Sequence, residues 1–229
     1  MSAARPPRRG RWWQAAVVVV TGVLTVALTQ NTTTAAFTGQ TSDTGNSATA
    51  AADFCSAPGR VDTLPTTGYP TVDTGIYQTQ PTTNFSANTT IGTISSTGAI
   101  ARSLIKFSLM SKPAGCVVAS ATLKLRVSNG TAGSTITVYR AAAAWNPTTV
   151  IWNTDPGIVA GSGTSAPSAA NGTLVQWNVA TQVTALYAGS DYGFEIRDAA
   201  EGVGNNTQLF DSMEATTVAN RPQLVITWG

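Results

Sequence analysis

The chain has 229 residues, of which 10% are charged, and thirteen basic against eleven acidic residues give a formal net charge of +2. It contains no histidine and only two cysteines, so neither a His/Cys zinc site nor a Ser-His-Asp or Cys-His nucleophile system can be assembled from it. Few charges with abundant Thr, Ser, Ala and Gly suit a β-rich extracellular protein.

Arg5, Arg8, Arg9 and Arg11 precede an uncharged run from Trp12 to Leu28, and small residues follow around Thr34, Ala35 and Ala36. This order reads as a secretory signal peptide over residues 1–36, with cleavage near Ala36 or Phe37. A retained membrane anchor is the other reading, because the apolar run is close to the minimum of about 17 residues for a spanning helix. All eleven acidic residues lie after Phe37, whereas four of the thirteen basic ones lie before it, so the remainder carries nine against eleven, a net of −2. No basic stripe survives cleavage, which argues against nucleic acid as a partner and leaves no stable membrane span.

Residues 37–58 hold few large apolar groups, and such a segment cannot bury enough surface to offset its ordering entropy; an extended low-complexity arm is expected. Cys55 and Cys116 in an exported chain are expected to form a disulfide.

From Gly59 to Gly229 turn residues recur between short periodic runs, as in a β domain. Val72 to Tyr77 and Thr90 to Ile94 read as strands separated by the turn-rich QPTTNFSANT. Ile105, Phe107 and Leu109 then alternate with Lys106 and Ser108. Ala121, Leu123, Leu125 and Val127 alternate with Thr122, Lys124, Arg126 and Ser128, placing one face in a core and one in water. Asn129-Gly130 signals a hairpin between Val127 and Ile136. Thr148 to Trp152 and Thr173 to Val179 are further strand candidates, with a flexible loop, GSGTSAPSAANG, between them. Val179, Val183, Leu186 and Tyr187 have helical spacing with Gly189 as a stop. Tyr192, Phe194 and Ile196 alternate with Gly193, Glu195 and Arg197, and Leu224, Ile226 and Trp228 form a last strand. A strand pair with one apolar face needs a second layer to cover it. The fold expected is all-β, an antiparallel jelly-roll-like β-sandwich with one short helix.

The leader together with AAFTGQTSDTGNSATAA and the following FC resembles the amino terminus of SipW-type exported proteins, a group containing bacterial biofilm-fibre proteins. Six blocks further on resemble, in order, the DNRLRE domain, also grouped as carbohydrate-binding module family ninety-six. They are DTGIYQTQPTTNF, RSLIKFSL, ASATLKLRV, WNPTTVIWNTDP, WNVATQVTALYAGSDYGFEI and FDSMEATTVANRPQLVITW. The resemblance implies a jelly-roll-like sandwich acting as an accessory or surface module. The chain departs from the family pattern at Ser86, where glycine is usual, at Asn178, where an acidic residue is usual, and near Leu186, where tryptophan is usual.

Sugar-binding sandwiches present flat rings to pyranose faces. Trp145, Trp152 and Trp177 are expected in the core, whereas Tyr69, Tyr77 and Phe85 lie in turn-rich sequence, and Tyr77 and Phe85 are the expected ligand platform. Glycoside hydrolysis needs two facing carboxylates; Glu195 beside Arg197, with Asp198, Asp211 and Glu214, reads instead as surface charge. Asp73, Asp155, Asp211 and Glu214 are the candidates for calcium, and no other cofactor is expected. The function expected is a secreted or cell-surface, non-catalytic module that binds extracellular polysaccharide or a surface glycan. A structural protein of a biofilm or matrix is the first alternative, and a polysaccharide-cleaving enzyme the second.

Overall fold

The computed structural model describes Cys55 and residues 59–229; the expected signal peptide and nearly all of the expected arm lie outside the described residues. Eleven strands form one curled antiparallel sheet whose two halves face each other across a common core. One half contains β1 (Val61–Leu64), β11 (Gln223–Trp228), β5 (Val118–Gly130) and β8 (Leu174–Asn178), hydrogen-bonded in that order. The other contains β10 (Asn205–Asp211), β3 (Thr90–Ser96), β4 (Ala99–Phe107), β9 (Phe194–Asp198), β6 (Thr135–Arg140) and β7 (Thr164–Pro167), with β2 (Thr71–Tyr77) paired to β4. The single α-helix among the described residues, α1 (Ala180–Ala188), follows β8.

The 13-residue β5 organises both halves. Its alternation runs as expected: Ala121, Leu123, Leu125 and Val127 are buried, and the intervening Thr122, Lys124 and Arg126 are half-exposed. Ala121 and Leu123 face Ile226 and Leu224 of β11, while Val127 pairs with Phe210 of β10 across a bulge, so β5 passes from one half to the other. Ile105, Phe107, Ile136, Val138, Phe194 and Ile196 supply the opposing wall of the core. Trp177 meets Phe210 edge to face at 5.8 Å, and its indole N–H donates to the Ile136 carbonyl at 3.0 Å, joining the two halves. Asn178, where the family pattern has an acid, accepts the Ala180 N–H at 3.1 Å at the start of α1. Cys55 and Cys116 form a disulfide with Cα atoms 5.7 Å apart.

Three expectations are corrected. Asn129-Gly130 is not a hairpin turn: β6 pairs with β7 and β9 instead of β5, and Asn129 and Gly130 pair with Leu209 and Gln208 inside the sheet. A Cβ at 130 would lie 2.3 Å from the Gln208 side-chain nitrogen, so a larger residue there would require that side chain to shift. Thr148 to Trp152 forms no strand. It is a turn leading into a one-turn 3-10 helix at Trp152–Thr154, with Asn146 Oδ1 accepting the Thr148 N–H at 3.0 Å. The presumed flexible loop contains β7, which lies along the edge of β6 and is tied there by a 2.8 Å contact between the Thr137 and Ser165 hydroxyls.

Candidate functional site

Antiparallel partners share a face, so the register of β2, β4, β9 and β6 places Ile76 beside Arg102, and Thr74, Leu104, Glu195 and Tyr139 in one row on the side away from the main core. Residues 141–158 fold over this side. Ala141, Trp145 and Val150 pack on Ile76 and Leu104 as a second apolar cluster, with Val72, Trp152 and Tyr192 at its margin. The Trp145 N–H donates to the Tyr192 carbonyl at 2.7 Å, and Lys106 Nζ lies 5.5 Å from the Trp145 ring centre. Trp145 and Trp177 are core residues as expected, while Trp152 is half-exposed with the Arg102 guanidinium 4.6 Å over its ring.

This cover changes the reading of Glu195 and Arg197, which do not form a surface pair. Glu195 is fully buried because residues 141–158 close over a strand face that alternation alone would place in water. Its Oε1 accepts from Arg197 Nε, and its Oε2 has no partner. Arg102 donates to Asp155 and, through two nitrogens at 2.7 and 2.8 Å, to Glu201. Burial pushes the Glu195 carboxyl up to about 7, with Asp155 reinforcing the shift and Arg197 and Arg102 opposing it. The network thus joins two cations to three carboxylates, leaving the arginines internally neutralised. A carboxyl sealed from solvent, as Glu195 is, cannot touch a substrate.

The expected platform residues come together. Tyr77, at the end of β2, and Phe85, in the following loop, are half-buried and meet edge to face with centres 4.5 Å apart. The Tyr77 ring lies back over Gly75, where a Cβ would stand 2.7 Å from the ring. Burial raises the Tyr77 phenol above its usual value. Beside Phe85, Asn84 Nδ2 donates to the carbonyls of Pro147 and Val150 at 2.7 and 2.8 Å, and the Asn153 N–H donates to the Pro81 carbonyl at 3.2 Å. These bonds join the loop carrying Phe85 to the loop carrying Trp152. Sequence reasoning missed Asn84, although its place beside Phe85 in a turn-rich segment marked it as a local capping residue. Tyr69 does not join this surface; it packs against the main core.

Of the four calcium candidates, two meet. Asp73 Oδ2 accepts the Met213 N–H at 2.9 Å, and the adjoining Glu214 carboxyl is within hydrogen-bonding reach of Asp73. Burial pushes Asp73 up to about 8, the Met213 N–H opposes this, and Glu214 adds to it. Asp155 is engaged by Arg102 and the Gly157 N–H, and Asp211 sits on β10 opposite Thr90.

The family model for carbohydrate-binding module family 96 matches residues 65–228. No curated protein matches the chain.

Proposed function

The chain belongs to carbohydrate-binding module family 96, and from that membership we propose that it is an exported module that binds extracellular polysaccharide without cleaving it. A carbohydrate-binding module is a non-catalytic kind of domain, and a glycan is the partner its family implies. The disulfide is compatible with an extracellular location, and no helix among the described residues is long and apolar enough to cross a membrane.

The observation that supports a ligand site on this surface is the joining of two aromatic loops through Asn84. Tyr77 and Phe85 on one loop, and Trp152 on the other, offer half-exposed rings for the C–H faces of a sugar. Asn153, exposed and adjoining Trp152 in the chain, offers a side-chain amide for hydroxyls. An open surface of this kind buries little area, so affinity on the order of micromolar to millimolar is expected.

The test is site mapping by affinity electrophoresis in gels containing plant, algal or microbial polysaccharides. Tyr77→Ala and Trp152→Ala should each lose retention by a polysaccharide that retards the parent chain, while both melt cooperatively. Full retention by both variants would move the ligand elsewhere on the sandwich. Release of reducing ends or unsaturated products would make the protein an enzyme. No retention by any polysaccharide would favour a structural role in a matrix.

A further inference from the structure

We propose that Asp73, Glu214 and Thr71 hold a calcium ion where β2 meets the turn following β10. Asp73 is only 2% exposed; one carboxylate oxygen takes the Met213 N–H, and the other, Oδ1, is buried with no hydrogen-bond partner. Thr71 precedes it by two residues on the same face of β2, is also buried, and its Oγ1 likewise has no partner. No donor among the described residues reaches either oxygen, and the Glu214 carboxyl that neighbours Asp73 is itself an acceptor when ionised, an arrangement that native interiors rarely leave without a ligand.

The turn brings a second carboxylate to the same place. Glu214 is held by its own N–H donating to Ser212 Oγ at 3.0 Å, and that hydroxyl in turn donates to the Asn88 carbonyl at 2.7 Å. Among the described residues the ion pairs engage Arg60, Arg102 and Arg197, and none reaches Asp73 or Glu214. Two neighbouring carboxylates, one buried, thus face no protein cation, and a bound cation would neutralise them. The donors are hard oxygens of mixed kind, carboxylate and hydroxyl, and their geometry is irregular, which suits calcium. No group of three or more His, Cys, Asp or Glu side chains among the described residues is placed to hold a metal ion, so backbone carbonyls and water would complete the shell. Calcium accepts such partners, whereas zinc favours nitrogen and sulfur.

The site uses neither the aromatic loops nor a glycan, so its test stands apart from the proposed function. The full exported chain, stripped with EDTA and kept at pH 8, is titrated calorimetrically with CaCl2 and melted with and without millimolar calcium. One calcium per chain should bind, with a dissociation constant on the order of 10⁻⁴ to 10⁻³ M as in extracellular modules, and the melting temperature should rise. Asp73→Asn keeps an acceptor for the Met213 N–H and should fold yet lose the response. Glu214→Gln alters an exposed residue and should weaken binding by roughly tenfold or more. No heat and no thermal shift in the parent chain, an undiminished response in both variants, or an equal response to MgCl2 would each overturn the assignment.

Discussion

Replacing Asn84 with alanine tests the join between the two aromatic loops. The side chain donates to the Pro147 and Val150 carbonyls and accepts the Ser86 N–H at 3.1 Å, so three hydrogen bonds are lost. Each contributes about 1 kcal/mol net, and a carbonyl left buried costs more than one that water can reach. Val150 is 3% exposed and belongs to the apolar cover over β4 and β9, whereas Asn84 itself is half-buried, so water replaces part of what is lost. A destabilisation of about 2 kcal/mol is expected. With a urea slope of roughly 2 kcal/mol/M, the unfolding midpoint should fall by about 1 M at unchanged slope. Asn88→Ala is the control, since Asn88 is exposed and only its backbone is engaged; its change should stay within about 0.5 kcal/mol. A loss below about 0.5 kcal/mol in Asn84→Ala, or an equal loss in Asn88→Ala, would refute the view that Asn84 holds the loops together.

Leu125→Ala should cost about 2 to 5 kcal/mol through the cavity it leaves in the core, while Lys124→Ala should change little; equal midpoints would show that the β5 register is wrong. Replacing Cys55 and Cys116 by serine opens a crosslink spanning 61 residues and should lower stability by roughly 4 kcal/mol on the chain-entropy account, read by chemical denaturation; an unchanged midpoint contradicts it. For pH, Glu195 deprotonates at about 7 in the folded chain against 4.5 for the free group, and Asp73 at about 8 against 3.8. Between those values the folded state holds more of these two groups' protons than the unfolded one, so their contribution to stability is fully present below about 4 and is lost as pH rises to about 8. The Glu195 share is on the order of 3 kcal/mol, and Glu195→Gln should remove it from the EDTA-treated protein's midpoint-versus-pH curve; an unaltered curve contradicts the assignment.

The strands whose neighbours are local or whose faces differ sharply were readable from residues. β5, β11 and α1 follow their apolar periods because one side of each meets the common core and the other meets water or a thin cover. β7 was hidden because its four residues, TSAP, carry no apolar alternation; it exists through pairing with β6, a tertiary fact. Asn129-Gly130 carried a genuine turn signal, overridden because both residues pair with Leu209 and Gln208 of β10, a long-range contact. Period two distinguishes two faces of β9 without saying what covers each, so the burial of Glu195 under residues 141–158 was illegible. Tyr77 and Phe85 were nameable from the loop that separates them, but their contact and the Asn84 tie to the Trp152 loop depend on long-range folding.

Retention of the parent chain by polysaccharide, followed by sizing of that same polysaccharide, tests the central claim most directly. The account predicts that at least one extracellular polysaccharide retards the protein, with affinity on the order of micromolar to millimolar, and is recovered at unchanged molar mass. Shortened chains, or free migration through every polysaccharide gel, would contradict it.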